Sequence, residues 1–297
     1  MFCKAILLAF SAASVVLGAP APAQVTDTDV LQFALTLEHL ESAFYAQALA
    51  KFDAQAFADA GFPDWVRGRF VQIGEHEAEH VKFLSGALGA AATQACEYNF
   101  PLDSPRAFAA LSMPLEDVGD SAYIGAAQLV SDKGVLTDAA SILSVEARHA
   151  AWVSSAVLKF QGWNGPFDSP LSPSAAFSIA SLFVKSCPAS NPPLPVKTFP
   201  PLTLSEAAPA HGALVGLTFT KPTGAQASAP AFVAWFDGLG VVFSNVTADG
   251  QTVVPPGLEG TVFAALTSVD SGMPTDDTLL SGFTFAQFPF DSHVDTP

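Results

Sequence analysis

Two short phrases, Glu77-Ala-Glu-His80 and Glu146-Ala-Arg-His149, constrain this chain more than any other feature. Both read Glu-x-x-His, and each lies in a stretch with helical apolar periodicity. On a helix, residues three apart share a face, so each phrase can aim a carboxylate and an imidazole at one point. One further Glu from each of two other helices completes the donor set of a carboxylate-bridged dimetal site inside a four-helix bundle. Glu38 and Glu116 fit that part, each followed seven residues later by a tyrosine, Tyr45 and Tyr123. The unit of Glu-x6-Tyr, then Glu-x-x-His, thus runs twice through residues 38–149. Ten Glu and six His are spread over 297 residues. Chance placement then gives about 0.2 such pairs in the whole chain.

Position on the helix separates a buried site from ordinary surface charge, because solvated charges lie opposite the apolar stripe. At roughly 100° per residue, Val66, Phe70, Ile73, Val81, Leu84 and Leu88 cluster around Glu77, with His80 nearby. Glu75, Glu79 and Lys82 fall on the far side. Ile142, Val153, Val157 and Phe160 cluster in the same way around Glu146, with His149 beside them, while Ser144, Arg148 and Lys159 point away. A carboxylate in an apolar stripe is costly unless it is paired or binds a metal. The pattern therefore marks Glu77, His80, Glu146 and His149 as metal ligands; a metal-free, hydrogen-bonded polar cluster is the competing reading.

The first helix, capped by Asp27 or Thr28 and running to about Phe52, leaves a choice. Glu38 and Glu41 both fall in its apolar arc; the spacing to Tyr45 favours Glu38, with Glu41 a second carboxylate or a partner for a ligating His. His39 lies toward the polar side, as a surface residue. In the third helix the stripe containing Glu116 continues through Gly119, Tyr123, Ala126, Ala127 and Val130, and Asp120 is the competing ligand. Tyr45 and Tyr123 read either as plain core aromatics or as hydrogen-bond partners of ligand carboxylates.

The segments LQFALTLEHLESAFYAQAL (31–49), EHEAEHVKFLSGAL (75–88), LEDVGDSAYIGAA (115–127) and ILSVEARHAAWV (142–153) resemble the ferritin-like proteins of the fungal stress-response and plant desiccation-related family. SCPASNPPLP (186–195) is similar to that family's segment after the bundle. The resemblance covers roughly residues 25–200 and implies a secreted ferritin-like bundle. It implies no defined reaction. Carried over position by position, its dimetal pattern falls on Glu38, Glu77, His80, Glu116, Glu146 and His149, all competent ligands.

The remaining signals set the context. Lys4 followed by AILLAFSAASVVL (5–17) reads as a secretory signal over residues 1–23, with cleavage after 18 to 23. No later run is long enough for a membrane span. Removal of the signal leaves Cys96 and Cys187, which most simply pair in an oxidising compartment. Asn245-Val-Thr247 is an N-glycosylation sequon. These features place the protein outside the cell or in the cell wall. A formal net charge of −16 argues against nucleic acid and anionic membrane surfaces as partners. No Gly-rich phosphate loop and no Gly-x-Ser-x-Gly elbow is present.

The fold class expected is α+β multidomain, a ferritin-like four-helix bundle (24–160) followed by a β-sandwich-like domain (205–297). Residues 161–204 between them read as one helix, capped by Ser172, and a stiff Pro-rich connector. Residues 89–113 form a long crossover between the second and third helices, with a short helix at about 104–111 and Pro114 at its end. Strands are expected at 213–220, 231–236, 240–247, 261–268 and 282–290. A site of four Glu and two His suits two Fe or Mn ions. It supports either redox chemistry on peroxide, O₂ or metal ions, catalase- or ferroxidase-like, or a non-enzymatic stress or cell-surface protein that contacts wall components.

Overall fold

The structure is a computed structural model that describes residues 25–221 and 230–290. The signal expected at residues 1–23 lies outside the described residues. Four long helices form the bundle: α1 (Asp27–Lys51), α3 (Asp64–Leu88), α4 (Pro105–Ala126) and α5 (Lys133–Trp152), with a short α2 (Ala54–Asp59) between the first two. α1 pairs mainly with α3, and α4 with α5. Thr26 caps α1 one residue earlier than the sequence suggests. It accepts from the Asp29 N–H while the Asp29 carboxylate accepts from the Thr26 N–H, a reciprocal box that satisfies two orphan donors.

Two boundaries differ from the sequence expectation. The third helix starts at Pro105 and runs through Pro114 without a break. Ser104 caps it, Pro105 occupies the first turn, where its missing N–H costs nothing, and Ala110, whose carbonyl loses its donor at Pro114, is exposed to water. Phe160 does not join the apolar stripe of α5. After a π turn at Val153–Val157 the chain passes through Lys159 at φ 66°, which swings Phe160 outward to 43% exposure.

The crossover between α3 and α4 is pinned at its middle. Strand β1 (Glu97–Tyr98) pairs antiparallel with β2 (Val184–Ser186), and the Cys96–Cys187 disulfide lies beside them, closing 91 residues of chain. Between these points lie the rest of the bundle and α6 (Pro173–Ala180), capped by Ser172 as its sequence suggests.

The C-terminal region holds two antiparallel sheets. β6 (Gly240–Asn245), β5 (Phe232–Asp237), β8 (Gly260–Thr267) and β9 (Leu279–Phe288) form one, in that order. β3 (Leu202–Leu204), β4 (Leu214–Phe219) and β7 (Gln251–Val253) form the other. Leu202, Val215, Val233, Trp235, Val262, Leu266 and Phe288 make the core between them. The opposite face of the larger sheet is apolar too: Phe236, Phe263, Ala265 and Phe283 pack into the core that contains Leu171, Ala175, Ile179 and the helices. Every residue of β8 is therefore buried, and its run TVFAALT is continuously apolar rather than alternating.

That arrangement encloses α4, which is buried on nearly all sides from Ser112 to Ala122. Small residues permit the close approach. A Cβ at Gly125 would lie 1.8 Å from the Leu171 carbonyl oxygen. Gly to Ala in a helix interior ordinarily gains up to ~1 kcal/mol. Gly125→Ala should instead destabilise the protein by more than about 2 kcal/mol, read as a lower thermal midpoint, because backbone rather than a flexible side chain must move. An unchanged or higher midpoint would contradict this packing.

Candidate metal centre

Each of the four long helices contributes its acidic residue to one buried cluster. Glu38 on α1, Glu77 on α3, Glu116 on α4 and Glu146 on α5 are all 0% exposed. His80 and His149, one turn beyond Glu77 and Glu146, turn their Nδ1 atoms into the same space. Two overlapping groups result: Glu38, Glu77, His80 and Glu146, and Glu77, Glu116, Glu146 and His149, with ligand-type atoms in each within 4.8 Å of one another.

Glu77 and Glu146 belong to both groups, and they divide their oxygens between them. Glu77 places Oε2 3.1 Å from His80 Nδ1 and Oε1 3.1 Å from His149 Nδ1. Glu146 places Oε1 3.1 Å from His80 Nδ1 and Oε2 3.9 Å from His149 Nδ1. Glu38 adds Oε2 at 3.1 Å to the His80 side, and Glu116 adds Oε2 at 3.1 Å to the His149 side. The cluster has the pseudo-twofold layout of the repeated sequence unit, with two shared carboxylates between two ends.

The tyrosines explain the Glu-x6-Tyr spacing. The Tyr123 hydroxyl on α4 donates to Glu38 Oε1 on α1 at 2.6 Å, and the Tyr45 hydroxyl on α1 donates to Glu116 on α4. Each half of the repeat thus orients the acid of the other half. Both tyrosines hold their protons well above the ordinary pH range, because burial and then the neighbouring carboxylates disfavour a phenolate.

Imidazole protons alone cannot satisfy this arrangement. An imidazole nitrogen carries at most one N–H, yet His80 Nδ1 lies 3.1 Å from three carboxylate oxygens. Glu77 Oε1 and both oxygens of Glu146 are buried with no hydrogen-bond donor. Leaving such groups unpaired costs several kcal/mol each by the general scale for buried charge. Among the described residues no Lys or Arg pairs with any of these acids. A cation between the shared carboxylates would remove the deficit, so the donor set fits a metal ion.

The remaining candidates fall outside the two groups. Glu41 is buried beside the cluster, with Oε1 2.6 Å from where a Cβ on residue 119 would stand, so Gly119 is what admits it. Its carboxyl is held well above the usual range by burial and then by Glu146, Glu38 and Glu77. Asp120 faces a separate cavity. His39 is half-buried, with Nε2 3.1 Å from the Thr93 carbonyl oxygen. His76 has no counterpart in the sequence pattern. Its ring stacks on His149 at 5.2 Å, with Nδ1 2.9 Å from His149 Nε2. It sits on the outer side of α3, and only the approach of α5 brings it to the centre, which no single-helix periodicity registers.

Residues 26–159 match the family model described as Ferritin-like domain. Protein rds1 of Schizosaccharomyces pombe is 24% identical over 180 residues, covering 60% of this chain and 44% of that protein. The chain thus spans less than half the length of this relative.

The centre dictates how the metal-free protein responds to pH. Burial lifts Glu38 to about 8 and Glu116 to about 7 from 4.5, despite the opposing effects of His80 and His149. Burial alone would depress the two histidines, but three carboxylates around each outweigh it and lift both to about 12. All four folded values exceed the unfolded ones, so the folded state holds protons the unfolded chain has released. The resulting stability is fully present below the unfolded values and is lost as pH rises through the folded ones. Calorimetry on metal-depleted protein should show a thermal midpoint that falls between about pH 5 and 8. Saturating Mn²⁺ should reduce that fall, since the ion replaces the protons. A midpoint flat or rising with pH in the depleted protein would contradict the buried, proton-holding cluster.

Proposed function

We propose that this chain, whose residues 26–159 form a ferritin-like domain, is a secreted dimetal protein of the stress-response type that acts on peroxide, O₂ or oxidisable metal ions. In this reading Glu38 and His80 would hold one ion and Glu116 and His149 the other, with Glu77 and Glu146 within reach of both. The observation that carries it is the pair of shared carboxylates, three of whose four oxygens have no donor and whose two oxygens face opposite histidines. Oxygen-rich ligation with two imidazoles suits iron or manganese. When bound, such ions supply the one-electron steps that peroxide or dioxygen chemistry requires.

The chain's own residues define the surroundings. Tyr45 and Tyr123 fix the orientation of Glu116 and Glu38. His76 Nδ1 lies 2.9 Å from His149 Nε2; with His76 accepting that ring's N–H, the His149 Nδ1 lone pair would be free to hold an ion. Phe44, Phe70 and Phe108 pack around the Tyr45 ring and hold it in place.

Secretion is supported by the apolar N-terminal segment, by the Cys96–Cys187 disulfide and by the exposure of Asn245 at the end of β6. No described helix is long and apolar enough to cross a membrane. A non-enzymatic cell-surface role, with the ions structural, draws support from the second sheet, whose Leu214 and Val253 remain half exposed.

Metal analysis and peroxide turnover on the purified protein separate these readings. About two Fe or Mn per chain are expected. The paired variant Glu77→Ala and Glu146→Ala should lose both ions, and turnover should vanish with them. Metal-free wild-type protein after supplemented expression would overturn the dimetal reading. Bound metal without peroxide, O₂ or ferroxidase turnover, together with retention on cell-wall material, would favour the structural role.

A further inference from the structure

A second acidic constellation lies apart from the centre, at the seam between the bundle and the larger sheet. A cavity of about 140 Å³ opens there between α4, α5 and the turn-rich segment 158–172, lined by Asp117, Asp120, Asn164, Asp168, Trp163 and the small side chains of α5. No Lys, Arg or His lines it.

Two of the three acids are organised by Asn164. Its amide Nδ2 donates to Asp117 Oδ1 at 3.1 Å and to Asp168 Oδ1 at 3.0 Å, while its Oδ1 accepts from the Thr261 N–H at 2.8 Å. Thr261 in β8 also donates its hydroxyl to Asp117 Oδ2. Gly260 permits this contact: a Cβ there would stand 2.3 Å from the Asn164 Cα. Asp117 thereby has one donor on each oxygen and is fixed to the sheet.

Asp120 is different. It lies one turn beyond Asp117 on the same face of α4, is 3% exposed and lines the cavity, yet it accepts no hydrogen bond among the described residues. The second oxygen of Asp168 accepts none either. With no donor and two acids beside it, Asp120 is pushed up to about 8 by burial and then by Asp168 and Asp117, and a cation in the cavity would favour its charged form. Asn164 holds Asp168 close to Asp117 and so increases the local negative charge instead of relieving it.

We propose that Asp120, Asp168 and Asp117 bind one hydrated calcium ion in this cavity. The donors are carboxylates and water, a hard all-oxygen set without the imidazoles of the buried centre, which selects Ca²⁺ over softer ions. Among the described residues, only the groups of the Glu/His centre bring three acidic or histidine ligand atoms within 4.8 Å of one another. The three aspartates are more widely set, so several waters complete the shell. At roughly 30 Å³ per water, the cavity has room for them. Calcium tolerates this irregular, water-rich coordination, whereas magnesium demands near-ideal octahedral geometry. The ion would tie α4, the 158–172 segment and, through Asp117 and Thr261, strand β8 into one unit.

Trp163 on the cavity wall supplies the readout. The full chain, titrated with Tb³⁺ as the calcium probe, should show emission sensitised by tryptophan excitation, and Ca²⁺ should compete it away. Trp163→Phe should abolish that emission while leaving the rise in thermal midpoint with Ca²⁺ intact. Asp120→Asn and Asp168→Asn should each weaken Ca²⁺ binding at least about tenfold, while Glu77→Ala with Glu146→Ala should leave it unchanged. The Asn side chains keep the shape, and Asp168 is partly exposed, so folding failure of one variant leaves the other informative. No Ca²⁺ binding at millimolar concentration, the range of extracellular calcium modules, would overturn the proposal. So would Ca²⁺ affinity unchanged in both aspartate variants, or lost on removing Glu77 and Glu146.

Discussion

A nitrogen with one proton faces three carboxylate oxygens at His80, and the rest of the helical unit is arranged around that mismatch. Four carboxyl groups at 0% exposure can be held together only by retained protons or by groups that carry positive charge into the core. The two histidines supply part of it. The orphaned oxygens of Glu77 and Glu146 show how much is left over. Helix spacing follows from the same demand. Gly119 brings α4 against Glu41, and the tyrosines of α1 and α4 cross to hold each other's acids.

The peripheral structure keeps these four helices in register. The α3–α4 crossover is the longest connection in the bundle and would otherwise leave its ends loosely related. Pairing of β1 with β2 and the adjacent disulfide fix it to the segment that follows the bundle. α6 and the segment before it, backed by the larger sheet, then cover α4 from the other side, so the helix that carries Glu116 is clamped between the centre and a second apolar layer. Bundle and sheet share one apolar cluster, which makes the sheet region a structural support of the site whatever else it contacts.

What could be read from the sequence follows from the range of the interactions involved. Glu77 with His80, and Glu146 with His149, were legible because i and i+3 share a helix face whatever surrounds them. Glu38 against Glu41 rests on the spacing to Tyr45 alone, since both lie in the apolar arc of α1; the partner helices bring Glu38 into the cluster and leave Glu41 beside it. The Tyr spacing was visible as a repeat, but its cross-helix exchange of partners was not. His76 lies on a polar face and becomes part of the site only through α5. The start of α4 was misread because Pro114 is a strong local breaker; the structure tolerates it because the freed carbonyl belongs to exposed Ala110. In the β region the long apolar strands were evident, whereas β3 and β7, three residues each, were too short for alternation to register.

Under the proposed function two ions would lie between Glu77 and Glu146, one beside each histidine. Anomalous-scattering crystallography on manganese-loaded protein tests it most directly. The account requires two peaks in the bundle core, one contacting Glu38 and His80, the other Glu116 and His149, with Glu77 and Glu146 touching both. A bundle core without anomalous density, or a single peak away from the shared carboxylates, would contradict it.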